Sequence, residues 1–254
     1  VNLYLQGILW VIGAGLLASA LLYLLQRYGS AELRAQHNDV TGAVYTNLGV
    51  LYAVMLAFIV IAVWDSLGEA ERTSYAEAND LVEVYWAGQH APAPQGPKIK
   101  ELSRQYAMTV TEAEWPKMAR GEATGPEGWA VLDQLRTQVE SLKSEDATVQ
   151  ARYDSAVAKV VSLIENRQSR LDAGGGLTPV VWLVLIGGGM LFIAFAFLFG
   201  VPSRIGHQIL VVTITMMVVM LLFAVYQLED PYSRSGAVGP EGMRFALSRF
   251  TQIG

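Results

Sequence analysis

Cysteine is absent from the 254 residues, which excludes disulfides, thiolate nucleophiles and Cys-ligated metals. Histidine is scarce. His37, His90 and His207 stand far apart, and none has a second histidine three or four residues away, so the ligand pairs of a helical zinc site are missing. There is no surplus of basic charge either: 18 Lys and Arg against 23 Asp and Glu leave a net charge of −5, without the basic face that nucleic acid requires. No GxSxG, HExxH, P-loop or strand-to-helix GxGxxG occurs. With no acid–base or metal constellation, the chain reads as a non-enzyme that needs neither metal nor cofactor.

Charge is also absent from four long stretches, and this absence organises everything else. Gly7–Leu25, Leu48–Trp64, Val180–Phe199 and Ile209–Leu228 hold 17 to 20 residues each without Asp, Glu, Lys or Arg. At about 1.5 Å rise per residue, each forms ~26–30 Å of helix, the hydrocarbon thickness of a bilayer. A soluble core helix of that length would carry a polar face, and these have none. The expected class is an all-α integral membrane protein with four spans. Charge is gathered between spans two and three, where Ser66 to Gly176 hold 17 of the 23 acids and 12 of the 18 basic residues.

The expected organisation is spans one and two within 1–65, a soluble helical insert at 66–178, spans three and four within 179–228, and a tail at 229–254. A polar loop from Gln26 to about Tyr45 joins the first pair; Gly200–Gly206 joins the second tightly, as antiparallel neighbours. Asp65 to Trp86 contains no Pro, so span two continues into water as one helix until the prolines at 92, 94 and 97 stop it. A second insert helix is expected from near Lys98, kinked or restarted at Pro116. A third follows Gly125-Pro126, and a fourth begins near Asp146 and ends at Ala173–Gly176.

The first residues, Val1–Gly7, resemble a protease-site remnant, but Leu3 and Leu5 continue the apolar pattern and the segment is read as native. No Lys or Arg precedes Gly7, so a cleaved signal peptide is not expected. Orientation is contested. Arg27, Arg34 and Arg204 flank one side, against Arg72, Lys159, Arg167, Arg170, Arg234 and Arg244 on the other, which favours a cytoplasmic insert and termini; Arg27 directly after span one favours the reverse.

Span two is the informative helix. Gly49, Ala53 and Ala57 form a ridge of small residues suited to close helix packing. Val50, Val54 and Phe58 form an adjacent ridge of larger ones, with Asn47 before it and Asp65 seven residues beyond Phe58. Two readings stand: ordinary packing against spans one, three or four, or stacked apolar rings if identical helices surround an axis, the geometry of a dewetting gate. In span three, Gly187–Gly189 admit a neighbouring helix or a kink. Acids of the insert such as Glu112, Glu114, Glu145 and Asp146 read as solvated faces. After span four, Glu229 and Asp230 precede Pro231, and Met243–Phe250 form a short amphipathic helix.

One set of segments resembles a known family. His37-Asn38, Gly49–Phe58 (GVLYAVMLAF), Val63-Trp64, Glu77-Ala78, Glu114-Trp115-Pro116, Arg167–Leu171 (RQSRL) and Leu228–Tyr232 (LEDPY) look like the bestrophin-like domain family of bacterial and plant membrane proteins. The likeness covers nearly the whole chain. More distantly, the layout is similar to that of bestrophin chloride channels, whose second span lines a pentameric pore with an apolar neck. That resemblance implies a homo-oligomer in the inner (plasma) membrane, inorganic ions as cargo, a cytoplasmic insert and termini, and a neck at Val50, Val54 and Phe58. The chain departs from it where Ile59-Val60 replace the polar residues after the neck. It departs again where Ser233-Arg234 replace an acidic cluster, so calcium gating is not implied. The expectation is an oligomeric ion channel, selective for anions by resemblance. The rival is a non-conducting membrane sensor or scaffold whose insert binds a partner.

Overall fold

The computed structural model describes residues 3–28, 34–234 and 236–254, and every regular element among them is helical. Residues 1 and 2 of the N-terminal segment, 29–33 of the expected polar loop and 235 of the tail lie outside the described residues. The order is α1 (Leu3–Tyr28), α2 (Asn38–His90), α3 (Gln95–Met108), a π-helical turn (Thr109–Glu114), α4 (Trp115–Met118), α5 (Glu127–Glu140), α6 (Ala147–Asp172), α7 (Pro179–Phe197), α8 (Arg204–Leu228) and α9 (Glu241–Ile253). Four helices are long and apolar enough to cross a membrane, and the four charge-free stretches fall on α1, α2, α7 and α8.

Several boundaries move relative to the sequence reading. α1 runs to Tyr28 and α2 begins at Asn38, so both helices reach into the segment expected as loop. Residues 26–28 and 38–45, which extend the two helices, contain no proline, and Asp39 in the first turn of α2 suits the positive end of the helix dipole. α3 starts at Gln95, not near Lys98. Its Pro97 sits in the first turn, where a missing N–H costs nothing because that N–H would have no intrahelical partner. Pro116 does not break the chain into two helices. The backbone widens into the π turn just before it and continues into α4, which relieves the clash of a proline ring with the preceding turn.

The chain forms two compact units. Residues 1–64 and 177–229 make the membrane unit; 65–176 and 230–254 make the helical unit. α2 contributes to both, one helix of 53 residues.

In the membrane unit, α1 pairs with α8, and small residues permit the approach: a Cβ on Gly7 would lie 2.8 Å from the Phe223 ring and one on Gly15 3.1 Å from Met216. Polar groups add to the contact. Ser19 donates to Gln208 Oε1 at 2.8 Å, and buried His207 holds its Nε2 3.0 Å from Ala196 O. α2 meets α7 through Tyr52, which fits over Gly188 and Gly189 and donates its hydroxyl to Leu185 O at 3.3 Å. Outward from these contacts, Leu9, Leu17, Leu51, Leu183 and Met217 are exposed, a surface whose natural solvent is lipid.

In the helical unit, α2 supplies Leu81, Val84 and Tyr85 to a core with Ile99 and Leu102 of α3, Leu132 and Leu135 of α5, and Leu163 of α6. Each such buried side chain contributes about 1.5–3 kcal/mol. α9 lays Met243, Ala246 and Phe250 into this core, and Phe250 stacks on Tyr85 at 4.2 Å between ring centroids.

Candidate functional site

Two features hold the residues singled out in the sequence. The first is a stripe on the membrane part of α2. At about 100° per residue, Tyr52, Leu56, Ile59 and Val63 occupy one narrow sector of the helix. Tyr52, Leu56 and Ile59 belong to an apolar core shared with α7 and α8, and Val63 is buried. Asn47, Val50, Val54, Phe58 and Ile61 occupy a sector of about 80° on the opposite side. They face away from the chain's own packing: Val50 is 58 % exposed, Val54 51 % and Phe58 69 %. Among the described residues, none of these three is buried against spans one, three or four. Asn47 is exposed and bonds back to Ala43 O at 2.8 Å; Asp65 is exposed. Of the small-residue ridge, Gly49 lies against Phe192, where a Cβ would sit 3.0 Å from the ring, whereas Ala53 and Ala57 are exposed in the single chain.

The second feature is a buried ion cluster in the helical unit. α6 turns Tyr153, Ala156, Val160, Leu163, Arg167 and Arg170 into the interior at steps of three and four, so two arginines continue an apolar stripe. Arg167 grips Glu114 with both terminal nitrogens, at 2.6 and 2.9 Å. Arg170 binds Glu77 at 2.6 and 3.2 Å and Glu114 Oε2 at 3.0 Å. The Tyr106 hydroxyl donates to Glu77. Aromatic faces complete the enclosure, with Trp129 4.7 Å from the Arg167 guanidinium and Trp115 5.2 Å from that of Arg170. Two carboxylates and two guanidiniums balance in charge, and all four side chains are essentially excluded from solvent. Glu114 therefore corrects the sequence reading: it is no solvated acid but the shared partner of two arginines, while Glu112 beside it is exposed. The signal that would have found it is the arginine pair on the apolar side of α6, which demands buried acids elsewhere. Both carboxylates are paired and aromatic faces enclose the cluster, while Arg167 Nε is buried without a hydrogen-bond partner; the cluster ties the helices of this unit together.

Burial alone would raise the Glu114 carboxyl, but hydrogen bonds and charge from Arg167 and Arg170 outweigh it and hold it below the usual range. Burial also pushes the Tyr232 hydroxyl up, to about 12. Because the folded carboxyl of Glu114 is depressed, its contribution is complete above the unfolded value of roughly 4.3 and lost as pH falls through the lower folded value. Thermal unfolding should hold steady down to about pH 5 and weaken steadily below about pH 4. Near-ultraviolet circular dichroism of Trp115 and Trp129 would follow it, and an unchanged melting temperature at pH 3 would contradict the assignment.

The remaining motif residues tie chain ends together within their own units. Asn38 exchanges two 2.9 Å bonds with the backbone of Gly200, fixing the start of α2 to the turn between α7 and α8. His37 is exposed. Glu229 accepts from Trp182 Nε1 at 2.6 Å, Asp230 caps Tyr232 N and Ser233 N, and buried Pro231 accepts from Val238 N at 2.7 Å. Trp115 Nε1 donates to Val238 O at 3.1 Å, and Pro116 occupies the first turn of α4. No cluster of His, Cys, Asp and Glu able to hold a metal occurs among the described residues.

Comparison with known proteins agrees with this architecture. The profile of the bestrophin-like domain family matches residues 12–243. No curated protein matches the sequence. Among solved structures, a variant of a bacterial bestrophin homolog from Klebsiella pneumoniae superposes with a TM-score of 0.72 at 14% identity, over 96% of this chain and 98% of that one. Another structure of a Klebsiella pneumoniae bestrophin homolog gives 0.69 at 15% identity, over 96% and 98% of the two chains. A structure described only as a membrane protein variant gives 0.71 at 14% identity, with the same shares covered. At these identities the likeness is one of fold.

Proposed function

Since the chain belongs to the bestrophin-like domain family and is a multi-pass membrane protein, we propose that it is an oligomeric ion channel, with no enzymatic activity, whose pore is lined by α2. The observation that carries this reading is the outward stripe Val50, Val54 and Phe58, on the side of α2 opposite its packed face. Identical copies arranged around an axis turn such a stripe into stacked apolar rings, and a narrow apolar ring resists wetting and so gates ion entry. By analogy with bestrophins the oligomer is a pentamer in the inner membrane, with the insert and both termini in the cytoplasm. The same analogy suggests anions as cargo. Asp65 argues the other way, because a ring of exposed carboxylates after the neck favours cations.

Recordings from purified protein in planar bilayers test both points. Phe58→Ala removes side-chain volume from the ring and should raise conductance or loosen gating, and Asp65→Asn should shift the reversal potential towards anions. Mass in detergent should give a symmetric oligomer. A monomer would end the proposal, and a folded oligomer silent in every variant would leave a membrane sensor or scaffold.

A further inference from the structure

The end of α1 and the start of α8 enclose a hollow of about 480 Å3 that belongs wholly to the membrane unit. Its walls carry Arg27, from the last turn of α1, and Arg204, from the first turn of α8. Among the described residues, no Asp or Glu lines it, and neither arginine forms an ion pair or a hydrogen bond. The one contact of the Arg27 guanidinium is the Tyr28 ring, 6.0 Å away. Four other exposed arginines, Arg72, Arg120, Arg136 and Arg244, each hold a glutamate within 3.6 Å. The two glutamines of the wall are engaged by their own unit. Gln208 accepts from Ser19 at 2.8 Å, and Gln26 Nε2 lies 3.4 Å from His207 Nδ1. They brace the hollow and leave two guanidiniums as its unmatched charge. Tyr23, Ile205 and Ile209 complete the wall, and all three are exposed.

We propose that this hollow binds the headgroup of one anionic phospholipid, its phosphate held by Arg27 and Arg204 and its acyl chains passing Tyr23 and Ile209. Charge selects the headgroup. Two guanidiniums without a counter-charge call for an anion, and their paired N–H groups match the oxygens of a phosphate. The positive end of the α8 dipole lies at the same place and adds to them. Depth selects a lipid. The charge-free stretches Gly7–Leu25 and Ile209–Leu228 both end at this hollow, which sets it at the edge of the hydrocarbon, where phosphates lie. The apolar side chains beside the arginines serve a ligand with a tail, and a free anion has no use for them. A single interfacial arginine meets passing headgroups without preference; two on one braced hollow define a place for one phosphate. The inference stands apart from conduction, since α2 does not line this hollow.

Lipid retention by the purified protein decides it. Phosphatidylglycerol and phosphatidylcholine with identical acyl chains are added in equal amounts in mild detergent, and the lipid that stays bound through gel filtration is quantified by mass spectrometry. The wild type should keep the glycerol lipid about fivefold to thirtyfold over the choline lipid, the range for two arginines acting at a membrane surface. The double variant Arg27→Gln with Arg204→Gln should bring the ratio close to one, and Arg27→Lys with Arg204→Lys should keep most of the preference. Arg244→Gln, which removes an exposed arginine of the helical unit, should leave it unmoved. Equal retention by the wild type, or a preference that survives the double glutamine variant, would overturn the proposal. Inorganic phosphate separates the two sources of the anion. In excess, against sodium chloride of equal ionic strength, it should not displace the lipid, and a preference lost in phosphate alone would assign the arginines to a free anion and overturn the lipid.

Discussion

Arg170→Met is expected to remove about 3–5 kcal/mol of stability from the helical unit, the cost of stranding a buried charge. Arg170 joins Glu77 of α2 to Glu114 ahead of α4, and all three side chains are shut away from water. Methionine fills similar volume beside Met118 but leaves Glu77, among the described residues, with the Tyr106 hydroxyl as its hydrogen-bond partner. The carboxylate must then take up a proton or admit water, and either loosens the crossing of α2, α3 and α6. The double variant Glu77→Met with Arg170→Met should recover most of the loss, because Arg167 and Glu114 remain a neutral, two-pronged pair. Denaturant unfolding of the four proteins of that cycle is the measurement. A single variant within about 1 kcal/mol of wild type, the range of a surface ion pair, would mean that the cluster is wetter than its burial indicates.

Gly189→Leu should be at least as damaging in the membrane unit. Even a bare Cβ at that position would lie 2.8 Å from the Tyr52 hydroxyl and 3.1 Å from Val218, and leucine adds three more carbons. α2 and α7 must then move apart, and the Tyr52 bond to Leu185 O is lost with the contact. The effect should exceed the roughly 1–3 kcal/mol of ordinary overpacking, because a buried aromatic ring on one side and α8 on the other leave no room to yield. Gly187→Leu is the control. Nothing lies within 4 Å of a Cβ there, so it should express, purify and melt as wild type does. Size-exclusion profiles in mild detergent, compared for the two variants, check this, and equal behaviour would contradict the α2–α7 contact.

The glycine triplet illustrates what was legible in the chain. Its composition announces a close helix approach, but only packing tells Gly187, which is open, from Gly188 and Gly189, which are filled by Tyr52. The arginines of α6 are similar. Their place on an apolar stripe is visible in the sequence, whereas Glu114 sits among other acids and looks solvated until its partner is known. Pro116 was legible as a disturbance, and the π turn that absorbs it was not. A proline removes a hydrogen bond locally, but how the backbone compensates depends on the walls around it.

The amino-acid sequence by itself determined that this is an all-helical membrane protein with four spans and a charged helical insert. Helix periodicity and the length needed to cross hydrocarbon are local properties, summed over twenty neighbouring residues and insensitive to distant partners. Only the tertiary structure decided which side of α2 is left uncovered, because that depends on where Tyr52 and Leu56 find α7 and α8. It alone decided that Glu77 meets Arg170, 93 residues away in the chain. A charge buried among apolar side chains states its need for a partner, but only the packing of several helices selects which one it finds.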